Sequence, residues 1–246
     1  MSTKYRETLY SNYHTTQSGR ASLTDASSLF NREKWRFSRE ILTHFTGVKK
    51  DAKIYDLGCG SGSLIQLLKE NNYVHLKGLD LSSEQVKIAH EFGVNEVEEG
   101  DAIEFLKQSN ELFDVIVGTD IIEHFTKDEL VELLKMIHSK LAPNGKAIFR
   151  TPNLDSLFAS VFANGDFTHE NYLNSSSAQQ VMLACGFQMV EVHASDVSTQ
   201  NPIKEIFRKA IYFHYKLWFK LMLFATGRST RNIILTPNMI ITAKRK

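Results

Sequence analysis

Two periodicities alternate along the chain. Short apolar runs bounded by Gly, Asp or Asn recur at 53–57, 74–79, 94–99, 113–118 and 145–151, and they read as buried strands. Between them, apolar residues recur every three or four positions over 62–71, 82–91, 101–108 and 127–141, the spacing of one helix face. Strands separated by helical segments of about ten residues predict an α/β fold with a doubly wound, mostly parallel sheet. Upstream, Asn31 to Phe45 reads as a helix burying Trp35, Ile41, Leu42 and Phe45, and Gly47 ends it. Downstream, a helix over roughly 176–185 precedes two further strands, Phe187 to Val197 and Asn232 to Lys244, with a long helical stretch, Ile203 to Thr226, between them. The first stretch, Met1 to Asp25, is polar and carries Tyr5, Tyr10 and Tyr13; residues 1–30 are expected to be a flexible segment or a lid over a ligand. Residues 31–246 form one domain in this reading, with 151–175 as a substrate loop and 203–228 as an insertion.

The chemistry concentrates at the carboxyl ends of the strands, where ligands of such sheets bind. Ile54-Tyr55-Asp56-Leu57-Gly58-Cys59-Gly60-Ser61-Gly62 runs from a strand into a helix through a glycine turn. Glycines there let the backbone approach a ligand with no Cβ in the way, and the helix start offers free N–H groups. Asp80 closes the second strand, where a carboxylate can accept two hydrogen bonds from a ribose diol, and Gly100-Asp101-Ala102 closes the third. Asp80 and Asp101 also read as helix caps. The fourth strand, from Phe113, runs into Thr119-Asp120-Ile121-Ile122-Glu123-His124.

The spacing D-x-G-x-G-x-G differs from the dinucleotide fingerprint G-x-G-x-x-G and resembles motif I of the class I S-adenosylmethionine (SAM) methyltransferases. The turn ending in Glu-His resembles their motif IV, so four motifs stand in order over residues 54–124. The resemblance implies a seven-stranded sheet with an antiparallel last strand and SAM as cofactor. Gly58, Gly60 and Gly62 would shape the cofactor turn, Asp56 would face the methionine end, Asp80 the ribose and Asp101 the adenine, with Ala102 and Thr119 beside them. The D/N-P-P-Y/F turn of enzymes that methylate amino groups of DNA or glutamine is missing, which disfavours nucleic acid as substrate.

Beyond the fifth strand, Thr151-Pro152-Asn153, then Phe167-Thr168-His169-Glu170, then Ala184-Cys185-Gly186-Phe187 resemble a group of bacterial O-methyltransferases from surface-polysaccharide and lipopolysaccharide gene clusters. That implies a glycan or glycolipid acceptor. SAM carries an activated methyl, so the protein must align a hydroxyl and remove its proton. Histidine suits that task near neutral pH, which makes His124 the preferred base, His169 its support and Asp120 the third candidate. His124, Asp166 and His169 could also hold a divalent ion, but their spacing does not require one and no metal is expected.

Composition adds two constraints. Formal net charge is +1, so no general affinity for polyanions follows, yet from Asn201 onward ten Lys/Arg face the single acid Glu205. Basic residues Lys204, Arg208, Lys216 and Lys220 interleave with Phe207, Trp218 and Phe219, a pattern that fits a helix lying on an anionic membrane; packing on the sheet or in a dimer is the alternative. Two cysteines and a polar start without an apolar signal core fit a reducing, cytoplasmic setting, with peripheral attachment to the cytoplasmic face of the membrane through 203–228. The expected activity is therefore O-methylation of a glycan or glycolipid precursor. A small-molecule, quinone-type O-methyltransferase and a SAM-binding regulatory protein without turnover remain the alternatives.

Overall fold

A computed structural model describes residues 4–10, 23–229 and 233–246; Tyr13, the 11–22 part of the expected lid and Asn232 lie outside them. The described strands are β1 (Lys53–Leu57), β2 (His75–Asp80), β3 (Val97–Glu99), β4 (Phe113–Thr119), β5 (Leu141–Pro152), β6 (Gln188–Ala194) and β7 (Asn238–Lys244). They form one sheet in the order β3-β2-β1-β4-β5-β7-β6. β1 pairs in parallel with both β2 and β4, and β7 runs antiparallel between β5 and β6. The chain therefore reverses its winding direction between β1 and β4, and the crevice beyond their carboxyl ends is the switch point where ligands bind.

Local chemistry explains the elements. β1 is buried at four of its five positions, as expected of a parallel strand covered on both faces. In it, Tyr55 stacks on Phe105 with ring centroids 4.7 Å apart and meets Phe113 at 5.0 Å, joining the sheet to a crossover helix. The helices are α1 (Lys4–Tyr10), α2 (Leu23–Glu40), α3 (Ser63–Glu70), α4 (Ser83–Glu91), α5 (Ala102–Gln108), α6 (Lys127–Lys140), α7 (Ala159–Ala163), α8 (Ser175–Ala184) and α9 (Pro202–Ala225). Side chains cap the starts of several of them. Ser82 and Asp101 cap α4 and α5, Thr126 and Glu129 form a reciprocal capping box on α6, and Asn201 with Pro202 starts α9, each satisfying N–H groups that a helix start leaves unpaired.

The sequence reading is corrected at its edges. The first long helix starts eight residues earlier than Asn31, at Leu23, and the end at Phe45 is a separate 3-10 turn (Leu42–Phe45). β3 shortens to three residues, β6 ends at Ala194 and β7 begins only at Asn238. β5 reaches back to Leu141, beyond the predicted 145.

Two segments lie outside the central layers. α1 docks through Arg6, which donates to both oxygens of Glu129 at 2.8 Å and to the His124 carbonyl at 2.9 Å. The Tyr5 hydroxyl donates to Glu170, and its ring meets Phe167 edge-on. α9 buries no residue; its half-buried positions, Glu205, Arg208, Tyr212, Tyr215, Phe219 and Leu223, recur every three or four residues as a single stripe. Ile206, Phe213, Leu217, Trp218 and Phe224 are exposed. No described helix is long and apolar enough to cross a membrane.

Candidate active site

The glycine turn sits where the switch point requires it. Gly58, Gly60 and Gly62 all have positive φ, a conformation that costs any side chain. At Gly60 an added Cβ would meet nothing within 4 Å, while at Gly58 it would come 2.6 Å from Ile121 Cδ1. Ile121 also presses on Gly118 of β4, so one side chain wedges the cofactor turn against the turn after β4. Asp56, at the end of β1, is almost fully buried and neither carboxylate oxygen has a hydrogen-bond partner. Burial, reinforced by Asp80 nearby, pushes its pKa well above the usual carboxylate range. Two unmatched acceptors in a buried site mark a place for a ligand donor, because leaving them bare is costly.

Asp80 accepts from Gly60 N and Ser82 N, each at 2.8 Å, so it holds the glycine turn and the start of α4 in one geometry. Asp101 is exposed, and its Oδ1 is committed to the N–H groups of Ile103 and Glu104; Ala102 follows, half-buried, and Thr119 ends β4, also half-buried. Cys59 and Cys185 are buried free thiols.

The second cluster gathers after β4. Its 3-10 turn (Ile122–His124) and the loop 166–170 are tied by backbone bonds from Glu170 and Asn171 to the Glu123 carbonyl. His124 and His169 meet edge-to-face with ring centroids 4.8 Å apart. Thr168 donates its hydroxyl to Asp166 Oδ1 at 2.6 Å and lies 2.8 Å from His124 Nδ1. The hydroxyl proton is thereby spent, so His124 carries its proton on Nδ1, as the network assigns it. Burial and then the neighbouring His169 push His124 down to about 4, so it is neutral at neutral pH. His169 Nδ1 donates to the Ala163 carbonyl at 2.6 Å.

Asp120, the third candidate base, is engaged differently. Its left-handed φ of 53° turns it toward Arg150, whose Nη1 donates to its carboxylate, and Arg36 Nη2 stands 3.8 Å away. Arg150 is itself buried and donates from Nε to Glu40 at 2.7 Å.

The sequence reading missed Glu123, which is buried with Oε2 accepting from Thr151 at 3.0 Å and is pushed up to about 8 by burial and then by Asp120. It also missed Arg150 as an organiser. A charged residue closing the apolar run Ala147-Ile148-Phe149 was the available signal, because a buried arginine needs carboxylate partners. Beside the cluster opens a cavity of about 420 Å³ lined by Tyr5, Asn164, Asp166, Phe167, His169, Glu170 and Tyr172. Across α7 lies an apolar groove of about 640 Å³, to which Phe158, Phe162, Phe207 and Ile211 contribute.

Residues 30–192 match the family model described as a methyltransferase domain, and the chain belongs to that family. Its fold is that of the class I SAM-dependent methyltransferases. It is similar to a SAM-dependent methyltransferase from Archaeoglobus fulgidus (TM-score 0.68, 21% identity, covering 95% of this chain and 98% of that one). It is also similar to phosphoethanolamine N-methyltransferase 2 of Haemonchus contortus in complex with SAM (TM-score 0.61, 17% identity, 96% of this chain and 60% of that one). A third neighbour is magnesium protoporphyrin IX methyltransferase of Synechocystis with bound SAM (TM-score 0.58, 12% identity, 98% and 95%). At these identities the likeness establishes the fold. Among curated proteins none matches the chain. The residues fit the cofactor: the bare Asp56 carboxylate and the open space before Gly60 offer an acceptor and room at the point where the fold binds its ligand.

Proposed function

We propose that the protein transfers the methyl group of SAM to a hydroxyl of a glycan or glycolipid precursor. The observation that carries this reading is the His124–His169 pair, with His169 lining the cavity, in the turn whose Ile121 packs against Gly58 of the cofactor loop. SAM, when bound, supplies an electrophilic methyl on a sulfonium. Asp56 holds its methionine end, Asp80 its ribose and Asp101 its adenine, with Ala102 and Thr119 alongside. A hydroxyl attacks only as its proton leaves, so a neutral imidazole is a useful group to have there. His124 takes that role, oriented by Thr168 and Asp166, and His169 positions the acceptor. Asp120 is less suited, because Arg150 and Arg36 engage its carboxylate.

The cavity lining supports a sugar. Phe167 and Tyr172 line the cavity with aromatic surface suited to a sugar's C–H face, and Asn164 adds a side-chain amide for its hydroxyls. The groove supports a lipid tail, since Phe162 lines it two residues before Asn164 lines the cavity. α9, with its basic residues and exposed Trp218 and Phe224, would rest on an anionic membrane and bring both compartments to a lipid-linked acceptor. α1 acts as the lid through Tyr5 and Arg6.

The test is transfer of labelled methyl from SAM to fractionated cell-envelope precursors. Label recovered in an O-methyl sugar after acid hydrolysis supports the reading. Label in a phenolic lipid or an amine overturns the acceptor assignment, and tight SAM binding with no transfer to any fraction overturns the catalytic one.

A further inference from the structure

Glu123, His124 and His169 each bring one donor atom to within 4.8 Å of the other two. Glu123 Oε1 is buried without a hydrogen-bond partner and stands 4.0 Å from His169 Nε2, so an unmatched carboxylate oxygen is aimed at an imidazole nitrogen. Both imidazoles are anchored on the far side. His169 donates from Nδ1 to the Ala163 carbonyl, and His124 donates from Nδ1 to Thr168, which donates onward to Asp166. With Nδ1 so engaged, Nε2 is the nitrogen each ring turns toward the cluster in this assignment. Imidazoles that bind metals are held in this way, with the remote N–H fixed by a carbonyl or by a relay ending in a carboxylate. Arg150, whose charge also acts on Glu123, is paired with Glu40 and Asp120.

We propose that Glu123, His124 and His169 bind one divalent transition-metal ion. Two imidazoles with one carboxylate favour ions such as Mn²⁺, Co²⁺ or Zn²⁺ over Mg²⁺ and Ca²⁺, which prefer oxygen. Ligands about 2.1 Å from such an ion lie roughly 3 Å from one another, so Glu123 and His169 close by about an ångström on binding. His169 also lines the cavity, so a ligand bound in that cavity would stand beside the ion. Resting on the acceptor reading above, a sugar hydroxyl bound there becomes more acidic. Its O–H bond breaks with the proton passing to solvent, the new C–O bond forms to the methyl, and S-adenosylhomocysteine leaves. The imidazoles then serve as ligands, and the ion replaces His124 as the group that promotes proton loss.

The experiment uses the full chain, freed of any affinity tag, stripped with a chelator and titrated with Mn²⁺, Co²⁺ and Zn²⁺ by calorimetry, with the visible spectrum of the Co²⁺ form recorded. We expect one ion per chain, a Co²⁺ ligand-field band, and affinity at least tenfold weaker in Glu123→Gln and in His169→Ala. SAM affinity serves as the fold control for each variant, and either variant suffices if the other does not fold. No stoichiometric binding to the wild type, or unchanged affinity in a folded variant, overturns the site. Metal binding without transfer to any sugar overturns the acceptor reading and leaves the metal site standing.

Discussion

An alanine methyl at Gly60 would project into open space, whereas at Gly58 it would strike Ile121. Both positions have positive φ, so each substitution carries a backbone cost of about 1–2 kcal/mol. Gly60→Ala is expected to fold, with a modest loss of stability, and to lower SAM affinity by at least tenfold because the methyl fills cofactor space. Gly58→Ala is expected to lose more stability, by about 3 kcal/mol in all. Urea unfolding and SAM titration of the two variants check this; equal SAM affinity of Gly60→Ala and wild type would contradict it. Arg150 supplies a second prediction. Arg150→Met leaves Glu40 and Asp120 without their shared cation and is expected to cost about 3–5 kcal/mol, read as a lowered urea midpoint. The glycine spacing and Asp56 were legible because a turn at a strand end is local chemistry. The Arg150–Glu40–Asp120 network was not, because it joins positions 30 and 110 residues apart that only the folded sheet brings together.

The elements divide in the same way. Strand and helix periodicity gave the crossover units of the sheet, since each buries one continuous apolar run or stripe. The edges failed where tertiary contacts decide: α2 extends back to Leu23 and packs its Phe30 against Phe92 of the α4 end, a contact no local pattern announces. Ile203 to Thr226 was readable as a helix with mixed basic and aromatic faces, and the fold leaves it resting on one narrow stripe. A helix that exposes Phe213, Leu217, Trp218 and Phe224 while carrying Lys204, Lys209, Lys216 and Lys220 is expected to bind anionic vesicles. Each basic residue near such a surface contributes about 1 kcal/mol, so reversing Lys204, Lys209, Lys216 and Lys220 to Glu should lower co-flotation with phosphatidylserine vesicles by at least tenfold. Equal flotation of the variant, or no flotation of the wild type, would contradict the membrane role of α9.

At the scale of the whole molecule, one source of pH-dependent stability lies away from the proposed site. His44, below the sheet's far edge, is pushed down to about 4 by burial, then by His193 and Lys146. Unfolded, it takes up its proton near pH 6.5, so between pH 6.5 and 4 the unfolded chain binds a proton that the folded one refuses. Stability therefore falls as pH drops through that window. The ring is partly solvated, so after screening the loss is on the order of 1 kcal/mol, and His44→Gln should flatten the slope of urea stability between pH 7 and 4.5 by that amount.

The proposed function lies instead at the switch point between β1 and β4, where Ile121 packs against Gly58 and Gly118 and the Glu123–His124–His169 cluster follows in the chain and the neighbouring loop. The most direct test measures methyl transfer and SAM affinity together in wild type, His124→Ala and Asp120→Asn. The account predicts that His124→Ala slows transfer by about 10²–10⁴-fold with SAM affinity within threefold of wild type, while Asp120→Asn keeps transfer within tenfold. Transfer that survives in His124→Ala and vanishes in Asp120→Asn would contradict it.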